Sequence, residues 1–177
     1  MSDEHAVLIE RDGRSVLRFR RLLAQTPAAA WEALTRTEAL RSWHPTPFRL
    51  EPRTGGAVEF LPGTEGGQMP PGRVLAYEPE RLLAYTWGED ELRFTIEPRR
   101  EGCLLTLEHA FADRLKAARD GAGWHLCLRA LEAALQGRPV PGVEPGGRLP
   151  GGWPELNEEY QRRFGISPGQ ATPVPEP

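Results

Sequence analysis

CLLTLEHAF, residues Cys103–Phe111, alternates: Cys103, Leu105, Leu107, His109 and Phe111 fall on one face, Thr106 and Glu108 on the other. That period of two belongs to a strand with one buried face. WHLCLRALEAALQG, Trp124–Gly137, changes the period: Trp124, Cys127, Leu128, Leu131, Ala134 and Leu135 recur at steps of three and four, one apolar helical stripe, with His125, Arg129, Glu132 and Gln136 off it. Gly137 suits the position just past a helix end, and Pro139 blocks continuation. One strand face and one helix stripe must be buried together. The two stretches therefore predict an α+β domain in which a long C-terminal helix lies across the concave face of a curved antiparallel sheet.

The preceding chain supplies the rest of the sheet. Ala6–Ile9, a turn at Asp12-Gly13 and Ser15–Leu23 read as strand, with Leu17, Phe19 and Arg21 sharing a face. Thr26-Pro27 is a helix start. Thr35 followed by Glu38 has capping-box spacing and predicts a second short helix carrying Leu40 and Trp43, ended by Pro45 and Pro47. Phe48, Leu50, the Gly55-Gly56 turn, Val58 and Phe60 read as a hairpin. A Gly/Pro-rich loop follows at Pro62–Gly72, then strands at Arg73–Glu78, Leu83–Trp87 and Leu92–Glu97, the last two separated by a turn at Gly88-Glu89-Asp90. The expected organisation is a domain over 1–137, a Pro/Gly-rich linker over 138–152, a short helix over 153–165 and a disordered tail over 166–177.

Composition narrows the partners. A net charge of -3 argues against nucleic acid, whose phosphates need an excess of Lys and Arg. No apolar run approaches the ~20 residues of a membrane span, and the N-terminus has no signal-peptide pattern, so a cytoplasmic protein is expected. Cys103 and Cys127 lack metal-ligand spacing, which predicts no metal site. No phosphate-cradling glycine motif is present, and no cofactor is expected. Lys116 is the single lysine. The abundance of Arg, Ala, Gly and Pro reads as a GC-rich, bacterial-type codon bias.

A set of short motifs completes the reading. Trp31-Glu32-Ala33-Leu34-Thr35, Glu38 with Leu40 and Trp43-His44-Pro45, Gly55-Gly56, Pro79 with Arg81-Leu82 leading into Tyr85-Thr86-Trp87, Leu105-Thr106-Leu107 with His109, and Gly123-Trp124 occur in order over Ser15–Gly137. This series resembles the activator of heat-shock-protein-90 ATPase homologue-like family of the START/SRPBCC superfamily. The resemblance implies the helix-grip fold, with two short helices after the first strand and a cavity between sheet and last helix. That superfamily includes lipid carriers, receptors, cyclases and co-chaperones, so fold does not fix function. The co-chaperones' Asn-rich, Trp-containing N-terminal motif is missing from this sequence.

Seven residues are the candidate ligand contacts: Trp43, His44, Tyr85, Trp87, Phe94, His109 and Trp124. His109 faces inward and suits a hydrogen bond to a ligand or acid–base work; the alternative is a core histidine satisfied by a carbonyl or water. The resemblance implies that Trp43-His44 borders the cavity mouth; the alternative is an aromatic plug closing the barrel end, with His44 exposed. Tyr85, Trp87 and Phe94 are pocket walls, or a filled core. Trp124 opens the last helix, and Gly121–Gly123 before it would allow movement.

Three functions follow. The first is binding of a small apolar or amphipathic molecule between sheet and helix, in which His109→Ala weakens binding without unfolding the chain. The second is a co-chaperone-like interaction domain, with Trp153–Phe164 docking a protein partner, making a homodimer contact or folding back on its own domain. The third is a cyclase- or hydrolase-type enzyme using a pocket histidine. No acid–base pair is legible, so no catalytic residue is named.

Overall fold

A computed structural model describes residues 4–62, 69–139 and 152–169. Strands β1 (Val7–Arg11), β2 (Arg14–Leu23), β3 (Phe48–Leu50), β4 (Ala57–Phe60), β5 (Gly72–Glu78), β6 (Leu82–Trp87), β7 (Asp90–Arg99) and β8 (Gly102–Phe111) form one antiparallel sheet. Its order is β1-β2-β8-β7-β6-β5-β4-β3. Helices α1 (Pro27–Thr35) and α2 (Thr37–Leu40) follow β2; α3 (Ala117–Leu135) and α4 (Trp153–Phe164) close the chain. The helix-grip expectation holds. Two strands precede α1, because Asp12 and Gly13 both take positive φ and fold the start of the chain into a tight hairpin.

The inward faces are those the alternation gave. Leu17, Phe19 and Leu23 of β2, Leu83 and Tyr85 of β6, Leu92, Phe94 and Ile96 of β7, and Cys103, Leu105, Leu107 and Phe111 of β8 are buried together with Trp124, Cys127, Leu128 and Leu131 of α3. Each large side chain removed from water contributes ~1.5–3 kcal/mol, so the sheet–helix layer is the main source of stability. The register carries two rows of side chains across the sheet: Tyr85–Leu92–His109–Leu17 and Leu83–Phe94–Leu107–Phe19.

Helix boundaries depart from expectation at two places. Thr26 caps α1 as expected, accepting from Ala29 N. The Thr35–Glu38 capping box does not form: the Thr35 hydroxyl donates back to Trp31 O at 2.8 Å, and α2 starts at Thr37 without a side-chain cap. Helix α3 begins at Ala117, so Trp124 sits two turns inside it and Gly121 and Gly123 are helical. Gly121 is there for packing, since a Cβ would lie 3.3 Å from the Tyr160 ring on α4. That contact offsets the ~1 kcal/mol that a mid-helix glycine costs. At its far end α3 closes as expected, with Gly137 at φ +63 and Arg138 N donating to Ala133 O in a Schellman arrangement.

Helix α4 folds back onto its own domain. Leu156, Tyr160 and Phe164 are buried, and so is Ile166 just beyond the helix. His125, placed off the α3 stripe by periodicity, is 0% exposed because α4 covers that second face. Residues 140–151 and 170–177, which carry most of the expected linker and tail, lie outside the described residues.

Backbone dictates the glycine that opens β8. Gly102, at φ +107, faces the end of β2, where an added Cβ would stand 1.9 Å from Leu23 O. Gly102→Ala is expected to destabilise by more than about 3 kcal/mol, because a left-handed backbone and a clash with main chain add. A denaturant midpoint within error of wild type would refute this.

Candidate functional site

The seven predicted contacts meet in one place. Tyr85 and Trp87 come from β6, Phe94 from β7, His109 from β8, Trp124 from α3, and Trp43 and His44 from the segment after α2. Ring centroids join them without a break: Trp43–Phe94 6.1 Å, Phe94–Trp124 6.4 Å, Trp124–His44 5.5 Å, Trp124–Trp87 5.7 Å, Trp87–His109 5.6 Å and Tyr85–Phe94 6.3 Å. Phe48, absent from the predicted set, extends the cluster to His44 and Tyr85. Six of the seven are buried and Trp87 is half-buried, which puts the rim of the cluster there. The rings pack against one another, mostly edge to face.

Hydrogen bonds fix both histidines. Thr46 N donates to His44 Nδ1 at 3.1 Å, so the proton of the neutral ring sits on Nε2 and is donated to the Tyr85 hydroxyl at 2.9 Å. Burial pushes the His44 pKa down to about 3, which keeps the ring neutral. Burial also raises the Tyr85 phenol. Trp43 Nε1 donates to Ala33 O at 2.9 Å.

At His109 the indole Nε1–H of Trp124 donates to Nδ1 at 3.1 Å, and Nε2 donates to Asp90 Oδ2 at 2.8 Å. Lys116 donates to the same carboxylate oxygen and lies 3.7 Å from Asp120. A continuous polar line, Lys116–Asp90–His109–Trp124, thus runs from the rim into the aromatic cluster. Although burial raises it, the Asp90 pKa is lowered on balance by the bonds from His109 and Lys116. Glu108 points away, as its alternation required, and is held by Arg11 and Arg18.

Asp90 and Lys116 join the site without being legible in the sequence as members of it. The sequence reads Asp90 as a turn residue, whereas it is the first residue of β7, paired with Trp87. The signal available for Lys116 was its being the single lysine.

Ligand atoms of Asp90, His109 and Asp120 lie within 4.8 Å of one another, a spacing a metal could use. The cation among them is the Lys116 ammonium, and His109 directs a proton, not a lone pair, at Asp90. This donor set is therefore closed by the chain's own charge.

A second polar knot ties the N-terminus to α4. The Tyr160 hydroxyl accepts from Ala6 N at 3.0 Å and lies 3.0 Å from His125 Nδ1. Glu4 faces His125 Nε2 at 3.9 Å and pairs with Arg129. His5 pairs with Glu159, and Arg21 with Glu132. Burial first, then Arg129 and Arg21, push His125 down to about 4. On the outer side of α4 a groove of about 690 Å³, lined by Trp153, Asn157, Gln161 and Ile166, lies apart from the seven predicted residues.

The two depressed histidines set a pH dependence. An unfolded histidine titrates near 6.5. His44 and His125 stay neutral in the fold, so the unfolded chain binds more protons as pH falls through 6.5, and stability drops toward pH 4. Each contributes at most about 1.4 kcal/mol per pH unit in that window. Unfolding free energies at pH 7, 6 and 5 should fall progressively; a flat profile would show that these rings are not held neutral.

A curved antiparallel sheet closed on one long helix, with a packed aromatic cluster between them, defines a helix-grip protein. The model of the family described as "Activator of Hsp90 ATPase homolog 1-like protein" matches residues 24–136, and the chain belongs to that family. Among solved structures, a conserved protein of unknown function from Enterococcus faecalis superposes with a TM-score of 0.70 at 19% identity, covering 90% of this chain and 90% of that chain. CalU16 from Micromonospora echinospora gives 0.69 at 21% identity, covering 90% and 94%. A protein from Bordetella parapertussis gives 0.69 at 22% identity, covering 92% and 91%. At these identities the likeness concerns the fold. No curated protein matches the chain. Among the described residues no helix is long and apolar enough to cross a membrane.

Proposed function

We propose that this chain binds a small, largely apolar molecule between the sheet and α3, at the chamber lined by Trp43, His44, Tyr85, Trp87, Phe94, His109 and Trp124. The observation that carries the reading is their convergence: separate segments deliver these rings to one patch, with Trp87 half-buried at its edge. Such a surface offers apolar burial with a few fixed polar groups.

Two features favour binding over acid–base catalysis. Asp90 supplies His109 with the carboxylate partner that the sequence did not reveal, yet both nitrogens of His109 are engaged, as are both of His44. A general base needs a lone pair within reach of substrate, and neither ring offers one. The protein-partner reading rested on the aromatic segment Trp153–Phe164, whose Leu156, Tyr160 and Phe164 are buried in this domain.

Native mass spectrometry of the purified chain, followed by denaturing extraction, tests the proposal. The expected result is a mass excess that disappears on extraction and shrinks in Trp87→Ala. A clean mass, together with tryptophan emission unmoved by naphthalene as an apolar probe, would overturn it.

A further inference from the structure

The chamber's polar atoms divide unevenly once each hydrogen bond is followed from donor to acceptor. Both acceptor nitrogens are filled: His44 Nδ1 by Thr46 N–H and His109 Nδ1 by the Trp124 indole. The donors Trp43 Nε1–H, His44 Nε2–H and His109 Nε2–H have Ala33 O, the Tyr85 hydroxyl oxygen and Asp90 as acceptors. Two donors are left over. Trp87 Nε1 is buried and has no partner. The Tyr85 hydroxyl, 0% exposed, accepts from His44, and its own proton finds no acceptor among the described residues. Tyr85 and Trp87 are two apart on β6 and share its inward face.

We infer that the molecule held here is a neutral carbonyl compound, an aromatic or apolar ketone, aldehyde, quinone or ester, whose oxygen accepts from Trp87 Nε1–H and the Tyr85 hydroxyl. This rests on the binding proposed above and specifies its chemistry. A buried donor without an acceptor is unfavourable, so a guest bringing an acceptor gains more than its apolar area alone supplies. A guest bringing only donors gains nothing, because the acceptor nitrogens are occupied. An anion is disfavoured on two grounds. His44 is held neutral by burial. Lys116 is already shared by Asp90 and Asp120, so a guest's charge would be desolvated without a counter-ion.

Three probes of one skeleton separate the terms: acetophenone offers an acceptor, 1-phenylethanol a hydroxyl, and ethylbenzene neither. Each is titrated into the full-length protein while the indole ¹H–¹⁵N resonances of its five tryptophans are followed. The expected result is that acetophenone binds roughly tenfold more tightly than ethylbenzene, about the worth of one recovered hydrogen bond. 1-Phenylethanol falls between them, and the Trp87 indole proton moves downfield only with the oxygen-bearing probes. Trp87→Phe should bring the ketone-to-hydrocarbon ratio toward one. Equal affinities for acetophenone and ethylbenzene, with a Trp87 proton that does not respond, would overturn this inference and leave the apolar-binding proposal standing. If no probe moves Trp43, Trp87 or Trp124, both fall. The wild-type indole shift decides the matter even where the variant folds poorly.

Discussion

Tyr160→Ala is expected to lower the unfolding free energy by about 4 kcal/mol and the midpoint by roughly 8–16 °C. Tyr160 is fully buried between α4 and α3. Its ring lies over the backbone of Gly121 and meets Phe19 and Phe164 edge-on or tilted. Truncating a buried aromatic to alanine ordinarily costs ~3–5 kcal/mol, and α3 cannot collapse into the space because Gly121 has no side chain to offer. The hydroxyl adds a polar share: without it Ala6 N–H and His125 Nδ1 lose a partner in a buried place. Tyr160→Phe, which keeps the ring, should therefore cost ~1–2 kcal/mol by itself. The comparison separates packing from hydrogen bonding, and urea denaturation measures both. If Tyr160→Ala unfolds within 1 kcal/mol of wild type, α4 is an appendage and not part of the core. Ending the chain at Gly137 provides an independent check, since the shortened chain at monomer dilution should melt below the intact one.

How much of this was legible in the sequence depends on which partners are local. The strands could be read because large apolar residues alternate onto the inward face, so Leu83, Tyr85, Leu92, Phe94, Leu105 and Leu107 announced both strand and facing. The α3 stripe was read in the same way, and the seven candidate contacts do meet. What escaped was set by contacts distant in sequence. Ala118, Gly121, Ala122 and His125 form a second stripe on α3 at helical spacing, all buried. Small residues carry little hydropathy, so that face looked like solvent until α4 was seen against it. Gly121 reads as a point of movement ahead of the helix for the same reason: the ring that justifies it lies on α4. Asp90 follows Gly88-Glu89 and has turn chemistry, and nothing local predicts that an aspartate on the inward face of a strand will meet a histidine from β8 and a lysine beyond it. The hydrogen-bonding state of His44 and His109 was likewise invisible, because it is decided by Thr46 N and by the Trp124 indole.

Asp90→Ala should be the most damaging change on the polar line into the aromatic cluster, with an expected loss of about 3 kcal/mol. The carboxylate joins a fully buried imidazole N–H to a largely buried ammonium. Removing it strands a donor on His109 and leaves Lys116 with Asp120 alone at 3.7 Å. Deleting one member of a buried ion pair typically costs ~3–5 kcal/mol, mostly through the charge left behind, and the partial exposure of Lys116 places this site at the lower end. Lys116→Ala should cost less, because Asp90 keeps its bond from His109 and gains access to water. The double variant should then be more stable than the sum of the two losses predicts, by ~1 kcal/mol or more, since it removes the stranded ammonium together with its partner. A double-mutant cycle in urea measures that coupling. The consequence reaches the candidate site. The bond to Asp90 orients the imidazole and favours the tautomer in which Nδ1 accepts from the Trp124 indole, so its loss loosens the ring that touches His44, Trp87 and Phe94. A shift in tryptophan emission should therefore accompany the loss of stability in Asp90→Ala. Additive losses with unchanged emission would mean that the line from Lys116 to Trp124 is a set of independent contacts and does not hold the chamber in shape.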